Sequence, residues 1–138
     1  MDDTLVVLTN LPDREAAVKL AQELVERKLA ACVNVLAECT SIYRWKGAIE
    51  NAREVPMLIK TRAALYDELE QAIAQLHPYE VPEIIALPVT RGLPEYLAWV
   101  SEGTSISVTK RTTLALSKTT ASISSNSFAV STTTTSKD

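Results

Sequence analysis

Two helix-like patterns, each followed by strand-like runs, constrain the fold of this chain most strongly. The first runs from Asp13 to Lys28 and the second from Thr61 to Leu76, and each has apolar residues on one side only. Runs of β-branched and apolar residues lie at positions 4–9, 31–36, 40–45, 55–61 and 84–89. This order predicts an α+β domain in which the chain returns to one antiparallel sheet after each helix. Both main helices are then expected on one face of that sheet.

The strand-like runs between the two helices predict one long hairpin. Lys46-Gly47 is the turn signal, and the return arm starts at residues 48–50 and continues through residues 55–61. Pro56 has no N–H for a sheet ladder, so it is expected at an edge or a bulge. A short C-terminal helix is predicted after Pro94, ending near Gly103. The complete order is that of a ferredoxin-like βαββαβ domain with one added helix.

Composition divides the chain after residue 103. Residues 1–103 carry 10 basic and 16 acidic side chains, and an acidic domain is not expected to bind nucleic acid. Of the 35 residues in 104–138, 19 are Ser or Thr, which predicts a disordered tail after a domain formed by 1–103. A strand added to the domain is the alternative for this tail.

The termini and the apolar runs bear on the compartment. No apolar run approaches the ~18–20 residues of a membrane span, so no membrane association is expected. The acidic start Met1-Asp2-Asp3 does not resemble a secretory signal. Cys32 and Cys39 form neither a disulfide framework nor a zinc motif, and a cytoplasmic location is predicted. Cys32 is expected to be a packing residue, while Cys39 is the better candidate for a reactive thiol.

The only histidine lies in a proline-rich connector, His77–Glu83, between the second helix and the last strand. Pro78 and Pro82 fix their own φ and keep the residues before them out of α geometry. Such a stiff connector can hold an imidazole and a carboxylate in fixed positions, as a binding site requires. The alternative is a well-formed turn in which Tyr79 fills the core and the charges face water.

Side chains on the predicted hairpin and sheet favour self-association. Tyr43 and Trp45 place aromatic rings on the projecting hairpin, and exposed aromatics beside an uncovered sheet edge are typical of an interface. We therefore predict an interface that includes Tyr43 and Trp45. Lys60 and Arg62 are candidates for holding a small anion between subunits, with solvation or salt bridging as the alternative. A single histidine and three glycines offer no nucleophile–base signature and no phosphate loop, so the chain is not expected to be an enzyme.

Five stretches, in order, carry a family resemblance: residues 30–34 (AACVN), 40–47 (TSIYRWKG), 57–61 (MLIKT), 77–83 (HPYEVPE) and 96–99 (YLAW). They resemble CutA, the divalent-cation-tolerance family, over about residues 4–102. The tail has no counterpart there. The resemblance implies a ferredoxin-like fold related in architecture to the PII-type signal proteins. It also implies a homotrimer whose hairpins and sheet edges join around a threefold axis, and it implies no enzymatic reaction.

The resemblance also implies a role in tolerance of copper and other divalent cations. Family members with reported copper binding use a Cys at the end of the first strand and two adjacent histidines before the Pro-Tyr pair. The corresponding positions here are Thr9, Leu76 and His77. With only His77 retained and Glu83 nearby, we predict a weak site for Cu(II) or another divalent cation, because tight sites use three or four good ligands. The alternative is that His77 caps the preceding helix or bonds a carboxylate across a subunit interface.

Three functions therefore remain open. The first is a trimeric CutA-like protein that acts in divalent metal ion tolerance, copper included, and binds the cation weakly. The second is a PII-like trimeric sensor that binds a small anionic ligand between its subunits. The third is a structural scaffold without a metal role. Metal-dependent stabilisation that needs His77 would favour the first, and stabilisation by anions would favour the second.

Overall fold

The structure, a computed structural model, describes residues 3–105. The prediction of a disordered tail falls on residues that, from 106 onwards, lie outside this range. The elements in chain order are β1 (Thr4–Leu11), α1 (Arg14–Glu26), β2 (Cys32–Val35), β3 (Cys39–Trp45), β4 (Ala48–Arg62), a 3-10 turn (Ala63–Leu65), α2 (Tyr66–Leu76), β5 (Ile85–Pro88) and α3 (Pro94–Gly103). Within residues 3–105, no helix is both long and apolar enough to cross a membrane.

The five strands form one antiparallel arrangement in the order β2-β4-β1-β5, and β3 pairs with the first half of β4. The two central strands, β1 and β4, are joined through α1 and the hairpin rather than by a tight turn. This order, with α1 and α2 inserted between strands, is the ferredoxin-like α+β arrangement. The predicted fold class is confirmed.

Strand β4 differs from its prediction because it is one continuous strand of 15 residues. Its residues 48–54 pair with β3 and its residues 57–60 pair with β2, while residues 55–62 pair with β1 along the other edge. Pro56 lies in the short gap between the β3 and β2 pairings. A residue without an N–H costs no hydrogen bond at such a gap, which explains why proline is tolerated inside a long strand.

The core lies between the sheet and the two main helices. The apolar side of α1 supplies four buried residues and that of α2 supplies three. Alternate residues of β1 and β4 face them, since side chains of a strand point to opposite faces in turn. The fully buried members with large side chains include Leu11, Leu24, Leu29, Met57, Ile59, Leu69 and Ile73.

The opposite face of the sheet carries the side chains of Cys32, Lys60 and Arg62, which alternate with the core residues of β2 and β4. Helix α3 contacts β4 and β1 at one end of this face. The Arg62 guanidinium donates from Nε to Thr104 Oγ1 and from Nη2 to Thr104 O, each at 2.9 Å. Thr104 is fully buried, so the folded domain includes it, although residue 104 was assigned to the tail from composition.

Local sequence signals predicted some ends of helices and strands correctly and others incorrectly. Asp13 Oδ1 accepts a 2.8 Å hydrogen bond from the N–H of Ala16, so Asp13 caps α1 at the residue where the predicted helical pattern begins. Lys46 and Gly47 both have positive φ, 50° and 82°, as a two-residue type I′ hairpin turn requires. Thr61 was expected to begin the second helix. It belongs instead to β4, where its hydroxyl donates to Leu29 O at 2.8 Å.

Candidate functional site

His77 lies where α2 ends, and its backbone is set by the proline that follows it. Its N–H donates to Ile73 O at 2.8 Å, and its ψ of 137° is extended, as expected before Pro78. The imidazole is buried, and so is the ring of Tyr79, with 4.7 Å between the ring centroids. Tyr79 thus fills the core as the turn interpretation of this connector proposed.

Both ring nitrogens of His77 have hydrogen-bond partners inside the chain. The N–H of Tyr79 donates to Nδ1 at 3.1 Å, so Nδ1 carries no proton in this arrangement. Nε2 lies 2.6 Å from the carbonyl oxygen of Asn10, which only accepts. Nε2 therefore carries the proton, and the geometry selects the neutral Nε2–H tautomer. His77 ties the end of α2 to the end of β1.

Asn10 brings the two predicted metal ligands into one network. Its carbonyl oxygen accepts from His77, and its side-chain Nδ2 donates to Glu83 Oε1 at 3.1 Å. The connector is thus fastened at both ends to one residue of β1. Sequence reasoning missed this role of Asn10, because the residue lies 67 positions from His77 and bonds it through a backbone carbonyl, which no residue type marks.

The connector does not fit a high-affinity metal site. A metal ion binds a ring nitrogen through its lone pair, but Nδ1 uses its lone pair on Tyr79 and Nε2 carries the proton shared with Asn10. No cluster of three His, Cys, Asp or Glu side chains that could hold a metal ion occurs among residues 3–105. The weak site at His77 and Glu83 stays a prediction, and any cation there must displace one of these hydrogen bonds.

The hairpin arm, formed by β3 and residues 48–54 of β4, exposes two apolar side chains in addition to the predicted aromatic pair. Tyr43 and Trp45 are half-buried on one face of β3, and the Lys46 ammonium lies 5.7 Å from the centre of the Trp45 ring. The other face exposes Ile42 by 74% and Ile49 by 70%. These two isoleucines are the more accessible apolar surface. The sequence pattern does not distinguish the two faces of the arm, because apolar residues occur on both.

The two cysteines lie too far apart along the sheet to bridge. Cys32 pairs with Lys60 and Cys39 with Glu54, positions six residues apart on β4. At ~3.3 Å per residue this is about 20 Å, whereas bridged Cα atoms lie within ~7 Å. Both thiols are free, and each is half-buried.

Residues 5–103 match the family described as CutA1 divalent ion tolerance protein, and this range covers nearly all of the fold just described. The chain belongs to this family. The CutA resemblance carried by the five sequence stretches is therefore confirmed, and so is the general assignment to divalent cation tolerance that the family description carries.

Relatives of known name agree with this membership. The divalent-cation tolerance protein CutA of Thermus thermophilus is 46% identical over 99 residues, which are 72% of this chain and 96% of that protein. Protein CutA of Mus musculus is 50% identical over 93 residues, 67% of this chain but only 52% of the mouse protein. The chain thus spans nearly all of the bacterial CutA and about half of the mouse one.

Solved CutA structures have the same fold. The crystal structure of CutA1 from Oryza sativa superposes with a TM-score of 0.74 at 39% identity, covering 77% of this chain and 97% of that one. The divalent cation tolerance protein from Thermus thermophilus superposes with a TM-score of 0.72 at 45% identity, covering 74% and 99%.

Proposed function

We propose that this CutA-family protein serves in tolerance of divalent metal ions, copper among them, as a cytoplasmic homotrimer that binds the ion weakly and catalyses no reaction. The observation that carries this is the family membership over residues 5–103. The compartment is part of the proposal, since Arabidopsis thaliana and Archaeoglobus fulgidus have relatives named chloroplastic and periplasmic.

The geometry of the connector supports weak rather than tight cation binding. An incoming Cu(II) or Zn(II) must replace the bond from His77 to Asn10, or that from Tyr79 to His77, before it gains an imidazole ligand. Glu83 adds one carboxylate, which already accepts from Asn10. Two ligands that must first lose existing bonds, with water completing the shell, support micromolar or weaker affinity.

Calorimetric titration tests the metal part of the proposal. We expect Cu(II) to bind the full chain with a dissociation constant on the order of micromolar or weaker. Glu83→Gln should weaken binding several-fold, because an amide oxygen is a poorer ligand than a carboxylate. Glu80→Gln, a change of the same kind at an exposed position of the same connector, is the control. Identical isotherms for wild type, Glu83→Gln and His77→Gln would show that the connector does not bind the metal ion.

Exposed apolar side chains on the hairpin arm support the homotrimer. A two-stranded arm is marginally stable when nothing covers it. Ile42 and Ile49 place a large apolar area on one face of this arm, and such area is typical of a contact with another chain. In the proposed trimer this face and the half-buried Tyr43 and Trp45 belong to the subunit interface.

Light scattering tests the trimer. We expect a mass three times the chain's 15.1 kDa at micromolar concentration. Ile49→Asp should shift the mass towards the monomer, because it places a charge in the proposed apolar interface. Leu93→Asp is the matched control, since Leu93 is exposed by 66% but lies at the start of α3. A monomeric wild type would contradict the trimer, and dissociation by Leu93→Asp alone would place the interface elsewhere.

A further inference from the structure

The sheet face opposite α1 and α2 carries a group of side chains that the metal role does not use. We call it the outer-face cluster: Cys32 and Asn34 of β2, Lys60 of β4, and Tyr96 and Trp99 of α3. Three separate elements contribute to it, and none of its members belongs to the connector around His77. What it could bind follows from its charge and its shape.

The strand members of the cluster lie side by side. Cys32 and Lys60 are directly opposite in the β2–β4 pairing, so their Cβ atoms are about 4.5–5.5 Å apart on the same face. Asn34 follows Cys32 by two residues and shares that face. Its Oδ1 accepts a hydrogen bond from the Lys60 ammonium, and the Cys32 thiol lies 4.0 Å from the same oxygen. The amide thus holds the ammonium over the sheet.

The helix members supply a flat apolar surface on the side of the cluster where Cys32 lies. The rings of Tyr96 and Trp99 stack with centroids 5.6 Å apart and an interplanar angle of 29°. They remain 40% and 48% exposed, although α3 itself packs on the sheet through the buried Val100. The end of α3 lies close to the start of β2, because a Cβ at Gly103 would come within 3.2 Å of Ala31 Cβ. Burial, and then the neighbouring Cys32 thiol, raise the pKa of the Tyr96 hydroxyl.

The charge at this surface is positive in an otherwise acidic domain. None of the ion pairs found among residues 3–105 includes Lys60, whose ammonium bonds a neutral amide instead. Arg62, its neighbour on the same face, already uses Nε and Nη2 on Thr104, so Lys60 is the better-placed of the two anion ligands that the sequence suggested. An ammonium has three donors, and within the described part of the chain the bond to Asn34 uses one of those of Lys60 and leaves two for a ligand.

We propose that the outer-face cluster binds a small organic anion with a flat ring, its carboxylate or phosphate on Lys60 and its ring against Trp99. Asn34 positions the ammonium, and the cluster's aromatic pair excludes water from one side of the ion pair, which strengthens it. Stacking on an indole or phenol ring accepts many ring types, so this surface selects for a planar anion rather than for one compound. The site is independent of the metal role.

Titration with three probes at fixed ionic strength tests the site: benzoate, adenosine 5′-monophosphate and inorganic phosphate. We expect at least one of the two ring-bearing anions to bind the full chain more tightly than inorganic phosphate. Tighter binding of benzoate would indicate a carboxylate ligand, and tighter binding of adenosine 5′-monophosphate would indicate a phosphate ligand. Lys60→Met should weaken that binding about tenfold or more, as loss of a charge-assisted hydrogen bond does. Trp99→Leu should weaken the binding of the ring-bearing probe about fivefold or more and leave the binding of inorganic phosphate unchanged.

The matched control is Lys19→Met. Lys19 is an exposed lysine of α1, on the other side of the sheet, so the change removes the same charge without touching the cluster. Circular dichroism and mass measurements confirm that each variant keeps its fold and assembly. We would abandon the site if neither ring-bearing probe bound below millimolar concentration, or if Lys60→Met and Lys19→Met gave the same affinity. Equal affinities for phosphate and the ring-bearing probes would show that the aromatic pair does not contribute to binding.

Discussion

Replacing His77 with alanine should lower the free energy of unfolding by about 2–4 kcal/mol. The imidazole is buried and joins two backbone groups, the carbonyl of Asn10 and the N–H of Tyr79. Alanine leaves both groups without this partner and opens a cavity where the ring was. Urea denaturation at one protein concentration measures the change, because the stability of an oligomer depends on concentration.

Three companion variants make this result specific. Leu76→Ala changes the preceding residue, whose side chain is half-exposed, and should cost less than about 1 kcal/mol. His77→Gln places an amide N–H near the position of Nε2 and should recover part of the bond to Asn10. His77→Asn places an amide oxygen near Nδ1 and should recover part of the bond from Tyr79. A His77→Ala protein as stable as Leu76→Ala would show that the network contributes little.

Replacing Arg62 with methionine should lower the free energy of unfolding by about 2–3 kcal/mol and loosen α3 selectively. The guanidinium makes two hydrogen bonds to the buried Thr104, at the end of α3 where carbonyl groups lack helical partners. Its positive charge also lies at the negative end of the helix dipole. Hydrogen exchange should therefore speed up in Arg62→Met relative to wild type, and the increase should be larger for the amides of α3 than for those of β1 and β4.

Arg62→Lys separates the geometry of this contact from its charge. A lysine keeps the charge but presents a single ammonium, which cannot copy the fork that reaches both oxygens of Thr104. We expect it to recover less than half of the loss. Arg27→Met is the matched control, because Arg27 pairs with Glu23 at 2.9 Å within one turn of α1, where both side chains are only partly buried and such i,i+4 pairs contribute about 0.5 kcal/mol or less. If Arg27→Met lowered the free energy of unfolding as much as Arg62→Met, the contact of the Arg62 guanidinium with buried Thr104 would contribute no more than an ordinary helix ion pair.

The order of elements could be predicted from the sequence because each depends on local pattern. One-sided apolar spacing located α1 and α2, and the turn at Lys46-Gly47 is where the hairpin reverses. These features need only residues within a few positions of one another. The family resemblance added the topology, and the sheet pairing agrees with it.

Contacts between distant residues could not be predicted in this way. His77 meets the carbonyl of a residue 67 positions earlier, and Arg62 meets Thr104 42 positions later. Neither partner is marked by its residue type, since every residue has a carbonyl and threonine is common in this chain. The same limit applies to Glu54, which is fully buried although it lies in a stretch rich in charged residues. Only the register of the sheet determines which of these side chains is covered.

The continuity of β4 has a consequence for how the chain reaches this register. Its pairing with β3 closes across a two-residue turn, whereas its pairing with β1 joins residues 44 or more positions apart. Hairpins close in about 1–10 μs, long before such distant segments pair. The turn at Lys46-Gly47 thus aligns a template strand on which β1 later docks. A slip of one residue at this turn would turn Lys60 towards the helices and Ile59 outwards. The correct placement of the outer face is therefore decided early in folding, at the far tip of the arm.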